Sequence, residues 1–284
     1  MKSSKDQTVI NHMGKLELTL PSLDSPMKWA SAGWSDMFKR PLYSFGYGAA
    51  FTLGGLLLTW FLFDIGWTAA IPVLAGGFML IGPFFAIGLY AMSRRFEEGA
   101  EIDFSVTRPA RFAEPQQLAY VALAMVLSFL LWSLIALFLL AIFTSGQSLA
   151  LNDFVAFILT TPKGLILLTL GTVVGGILAL FVFSFSALAI PILLEHEVDA
   201  MTAMTASLRV VKHAPGPMLV WAWIVGLYTL FGLATLFLGL IAVFPMMGHA
   251  SWHAYREIVA RPEIKKMTPA KKKPTKKPTR KAAK

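Results

Sequence analysis

Five long runs without a single Lys, Arg, Asp or Glu in their interiors constrain this chain more than any other feature. They extend over Leu42–Phe63, Trp67–Met92, Leu118–Phe143, Gly164–Leu194 and, less cleanly, across the stretch from Met218 to Ala254. A bilayer core needs roughly 20 apolar residues in a helix. Its hydrocarbon supplies no water to unpaired N–H and C=O groups, so helices are the expected form of runs this long. The last stretch reads as two tight or shallow spans, Met218–Gly232 and Thr235–Ala254, which makes six. Asp64 sits at a predicted span end, directly after Phe63. With 56% hydrophobic and 14% charged residues, the chain has too little polar surface for soluble domains, and lipid must take its place.

Lys and Arg set the orientation. Lys28, Lys39 and Arg40 precede the first span. Arg94, Arg95, Arg108 and Arg111 follow the second, Arg209 and Lys212 follow the fourth, and the C-terminal segment is basic throughout. Lys163 stands alone on the other side. Six spans then place both termini in the cytoplasm. The expected organisation is a polar, disordered segment over 1–27, a six-span domain over 28–259 and a basic disordered tail over 260–284. No apolar signal-peptide core follows the early lysines, so the first span is expected to act as an uncleaved insertion signal.

The runs repeat a pattern. Gly82-Pro83 is followed by Tyr90 and Arg94, and Phe244-Pro245 by Trp252 and Arg256 at the same spacings; Ile190-Pro191 is a diverged copy followed by Glu195-His196-Glu197. Each pair of spans is preceded by an amphipathic segment ending in a basic, proline-containing turn, at Lys39-Arg40-Pro41, Arg111…Pro115 and Lys212…Pro215. Proline suits a helix start. The expected fold is thus an all-α membrane protein of about six transmembrane helices, in three units of interfacial helix plus transmembrane hairpin.

Trp34 to Pro41, Gly46-Tyr47-Gly48, Gly82-Pro83…Gly88-Leu89-Tyr90, Pro215-Gly216-Pro217 and the string from Gly248 to Arg256 resemble the bacterial membrane family known as domain of unknown function 2189. The resemblance runs from about Trp29 to Val259 and leaves out the tail. It implies the bacterial cytoplasmic membrane and six spans, and it supplies no activity.

Few residues suggest chemistry. His249 and His253 lie four apart, on one helical face, where they could share a metal with Glu195 and His196. The competing reading, which is preferred, has the rings simply seated in the headgroup region and held by Glu257 or a carbonyl. The expected cofactor is none. Pro72, Pro83, Pro191 and Pro245 free carbonyls and bend helices, as transporter sites do, but no carboxylate or lysine accompanies them within the membrane. Small-residue pairs, Ala50 with Gly54, Gly82 with Ala86 and Gly171 with Gly175, suit close contact inside one bundle or in an oligomer. In the tail, Lys271, Lys272, Lys273, Lys276, Lys277, Arg280 and Lys281 fit anionic lipid headgroups, with nucleic acid the other acidic partner. No catalytic constellation stands out. The reading is a non-enzymatic bundle that handles a lipid or small solute or holds a membrane partner; its alternative is a metal- or haem-dependent redox component.

Overall fold

The computed structural model of the chain describes residues 9–13, 16–68, 70–100, 115–146 and 151–259. The basic tail and the amphipathic segment expected at 104–112 lie outside them. A short antiparallel hairpin, β1 (Val9–Met13) and β2 (Leu16–Thr19), leads into α1 (Ser25–Lys39). Within residues 16–27, Leu16, Leu18, Pro21, Ser25 and Pro26 are buried, while Leu23 and Met27 are exposed. Leu16 and Leu18 are wholly buried, and Leu18 pairs with Val259 at the far end of the described chain. Alternation places both leucines on one face of β2.

Prolines set the boundaries of several helices. The ring of a proline disfavours helical conformation in the residue before it. Arg40, with φ −143°, ends α1, and α2 (Pro41–Asp64) starts at once. Extended Thr161 precedes α7 (Pro162–Ser186), its hydroxyl accepting from the Gly164 N–H at 3.0 Å as an N-cap. Ala214 separates α9 (Ala200–His213) from α10 (Pro215–Ala234) in the same way. Between these lie α3 (Ala70–Phe85), α4 (Ile87–Glu98), α5 (Pro115–Phe143), α6 (Leu151–Thr160) and α8 (Ala189–Glu195), and α11 (Leu240–Ile258) closes the bundle.

Five helical stretches among the described residues are long and apolar enough to cross a membrane: α2, α3 with α4, α5, α7 with α8, and α10. Large apolar side chains cover their outer faces, Leu134 and Phe138 on α5 and Ile177 and Phe181 on α7 among them. The expected sixth span coincides with α11, which is different in kind. Its first half is apolar, whereas its second half carries His249, Ser251, His253, Tyr255, Arg256 and Glu257. It is sheathed by protein, with α1, α2, α4 and α10 packed around it. Helix α6 has no counterpart among the elements expected from sequence.

Glycines allow this sheathing. A side chain on Gly33 of α1 would meet the Ala250 backbone nitrogen at 2.5 Å and the Met246 carbonyl at 2.6 Å. One on Gly48 of α2 would collide with the Ile241 carbonyl oxygen. Pro245 cannot donate to that carbonyl, four residues earlier, so the oxygen is turned against the glycine instead. On the opposite side Gly248 receives Leu89. The small pairs singled out by spacing do less. Gly54, Gly82 and Gly171 each face open space, and Gly175 alone rests on a neighbour, the Trp132 ring.

Candidate functional site

Two polar clusters and one apolar groove are the features with functional content. Helical spacing does put His249 and His253 on one face of α11, turned toward α1 and α4. Neither ring is held by Glu257, the partner considered from sequence. His249 is fully buried, its Nε2 3.1 Å from Ser44 Oγ and its Nδ1 2.6 Å from Ser93 Oγ. Ser93 donates in turn to Asp36 Oδ2 at 3.2 Å. His253 Nε2 lies 2.8 Å from the same oxygen, and Lys39 Nζ 2.6 Å from Oδ1. Asp36 is thus the hub of a chain running inward from Lys39 and His253 to Ser44. Burial pushes the Asp36 carboxyl up, but hydrogen bonds and charge from His253 and Lys39 outweigh it and bring it down to about 2. Glu257 instead accepts from Ser25 Oγ at 2.5 Å and Trp29 Nε1 at 2.7 Å, tying α1 to the end of α11.

Glu195 and His196 belong to a second cluster, around Tyr255. The Tyr255 hydroxyl donates to Glu195 Oε2 at 2.9 Å and lies 3.0 Å from His196 Nε2. One hydroxyl proton cannot serve both, so His196 donates from Nε2. Burial lowers the His196 pKa to about 4, which keeps the ring neutral near neutral pH. Arg256 reaches both Glu195, at 3.4 Å, and Glu97, at 3.1 Å, and Arg94 approaches Glu195 at 3.5 Å. Trp252 Nε1 donates to Glu97 at 3.2 Å. The cluster thus joins the ends of α4, α8 and α11.

The four residues considered as metal ligands are therefore divided between the two networks, His249 and His253 in one and Glu195 and His196 in the other. Among the described residues no group of three His, Asp or Glu side chains converges to hold a metal ion. His249 between two serines has the parts of a base and nucleophile, but Ser44, Ser93 and His249 are all sealed from the surface. A nucleophile must reach its substrate. As arranged, the network clamps α1, α2, α4 and α11 together.

The groove lies toward the other end of the bundle. Although α2 and α3 are consecutive, α2 leans on α11 and α3 on α5. Between them opens a cavity of about 400 Å³, floored by Phe51, Phe78 and Phe85 and closed at one end by Phe237 of the α10–α11 turn. Thr59 is the one polar side chain on its wall. Ala50 and Gly54 line it as well, which explains why that small pair makes no helix contact. Nothing in the sequence announces the groove, because it is a gap between helices, and gaps leave no periodicity.

No curated protein and no solved structure matches the chain. Residues 70–195, from the start of α3 to the end of α8, match the model of a family described as predicted integral membrane protein (DUF2189), the same family of unknown function that the sequence motifs resemble.

Proposed function

We propose that this protein is a non-enzymatic bundle of the bacterial cytoplasmic membrane that takes an acyl chain of a bilayer lipid into the groove between α2 and α3. The groove carries the reading. Its volume of about 400 Å³ is in the range of ligand sites. Its wall has nothing to pair with a charged or strongly polar ligand, and it opens where lipid surrounds the helices. On α2 it is lined from Ala50 to Leu62 and on α3 from Ile71 to Phe85, whereas Lys39, Arg40, Arg94 and Arg95 lie outside both stretches. By the positive-inside rule those basic ends are cytoplasmic, so the groove faces the outer leaflet.

In this reading α11 is the sixth crossing. It reverses the direction of α10 at the turn around Leu236 and Phe237, both with positive φ, and ends among the basic ends of α4 and α1. Three units of interfacial helix and hairpin, with both termini in the cytoplasm, accord with that count. The tail, through Lys271, Lys272, Lys273, Lys276, Lys277, Arg280 and Lys281, then meets anionic headgroups of the inner leaflet.

Two experiments test the proposal. A phospholipid with a diazirine near the end of its acyl chain should label α2 and α3 peptides well above the lipid-facing surface of α5 around Leu134 and Phe138. Gly54→Phe, at a position whose side chain would project into open space, should fill the groove and bring that labelling down to the α5 level. Equal labelling of α5 and the groove in the unaltered protein would refute the acyl-chain reading. For the topology, reporters inserted at Gly146 and fused after Lys284 should report opposite sides of the membrane. The same side for both would sink the six-span count.

A further inference from the structure

A smaller cavity, distinct from the groove, lies where α3 and α4, α7, α10 and α11 meet. Its volume is about 100 Å³. Its lining differs in kind from that of the groove: hydroxyl groups of Tyr90, Ser186, Thr229 and Ser251 interrupt the aromatic walls. Ser186 is 1% exposed, and its Oγ has no hydrogen-bond partner in the protein. Ser251 Oγ donates to the Met247 carbonyl at 2.8 Å, and Tyr90 lines the same wall. Pro83, also on the wall, has no N–H to give the carbonyl of Met79, four residues before it, and Met79 lines the same space.

We propose that this cavity is a hydration site, occupied by a small cluster of water molecules within the membrane-embedded part of the bundle. A buried hydroxyl left unpaired is costly, because its lost hydrogen bond to water is not replaced. Ser186 escapes that cost only by bonding to something that is not protein. Water takes up about 30 Å³ per molecule in the liquid and needs two to four polar partners. The cavity has room for about three such molecules and offers four hydroxyl groups. Apolar cavities stay dry, whereas polar ones of this size fill. Among the described residues no charged side chain lines it. The place has a mechanical meaning. Helix α3 gives way to α4 at Ala86, and α7 ends at Ser186 before α8 begins at Ala189. Water at two helix breaks exchanges hydrogen bonds with loosened backbone and lets the segments on either side pivot.

Radiolytic footprinting tests this directly, because hydroxyl radicals generated from bound water oxidise the side chains beside it even when bulk solvent is excluded. In the full chain in lipid nanodiscs, Met247 and Tyr90 should be oxidised several-fold faster than Met125 and Met218, which are equally enclosed but do not line the cavity. Ser186→Val, which removes the hydroxyl and fills space, should bring Met247 and Tyr90 down to the Met125 level and leave exposed Met201 unchanged. Ser186→Ala, the smaller change, should lower them in part. Should Met247 and Tyr90 in the unaltered protein react no faster than Met125 and Met218, the cavity is dry and the proposal fails. Rates that are high but indifferent to both Ser186 variants overturn it too.

Discussion

Gly48→Leu should destabilise the bundle by about 3 kcal/mol or more, the upper range for overpacking an interior that cannot yield. The first atoms a side chain would meet at Gly48 are the backbone carbonyls of Leu240 and Ile241, so rotamer changes cannot relieve the collision and α2 must move away from α11. The loss should exceed the stabilisation of up to about 1 kcal/mol that replacing a helical glycine ordinarily brings. Gly54→Leu, less than two turns further along α2 and facing open space, is the control. It should unfold within about 1 kcal/mol of the unaltered protein, as surface-like substitutions do. Thermal unfolding of the purified variants, followed by tryptophan fluorescence, provides the comparison. Equal midpoints for the two variants would show that the close approach of α2 to α11 carries no weight.

Asp36→Ala is expected to cost about 1–3 kcal/mol, because it leaves buried Ser93 and partly buried His253 without their acceptor, while half-exposed Lys39 can turn to solvent. Asp36→Asn keeps one hydrogen-bonding oxygen and should cost less. The acid limb of stability supplies a second readout. The Asp36 carboxyl titrates at about 2 in the folded chain against 3.8 in the unfolded one. A lowered folded value means that the unfolded state binds the proton first as pH falls. The contribution of Asp36 is therefore complete above pH 3.8 and is lost as pH drops through 2, a difference of about 2 kcal/mol. That limb should flatten in Asp36→Asn, as measured by unfolding midpoints between pH 5 and pH 2. If both variants unfold with the unaltered protein at every pH, the hub has no structural role.

The parts of the fold legible in the sequence are those where lipid does the burying. Helices α2, α5, α7 and α10 are apolar around their circumference, and each begins at a proline. Helix α11 is buried by protein, so it can carry polar groups; its apolar first half marks it as a span, whereas its enclosure by α1, α2, α4 and α10 leaves no such mark. The hairpin is easily passed over although Leu16-Glu17-Leu18-Thr19 alternates as a strand should; a four-residue run among polar neighbours is too short to stand out. The shared face of His249 and His253 follows from helical geometry alone. Their partners do not. Asp36 sits in an amphipathic segment where a lone acid reads as solvent-facing, and its partner His253 is 217 positions away. Ser44 and Ser93 are the small hydroxyl residues that any apolar helix tolerates. Glu195 and His196 do belong to a polar cluster, as their charged neighbourhood suggests, but Tyr255, the residue that organises them, stands out in the sequence only as part of a motif.

The sequence separation between α1 and α11 also has a bearing on assembly. A ribosome delivers the chain from its N-terminus, so α1, α2 and α4 are made well before the helix they enclose. Through that interval Asp36, Ser44 and Ser93 lack their histidine partners, and Ser25 and Trp29 wait for Glu257, 232 and 228 positions further on. Until α11 arrives, the bonds that tie these groups to it cannot form. A nascent chain that stops short of α11 lacks all the contacts to His249, His253 and Glu257, and they form together when that helix docks.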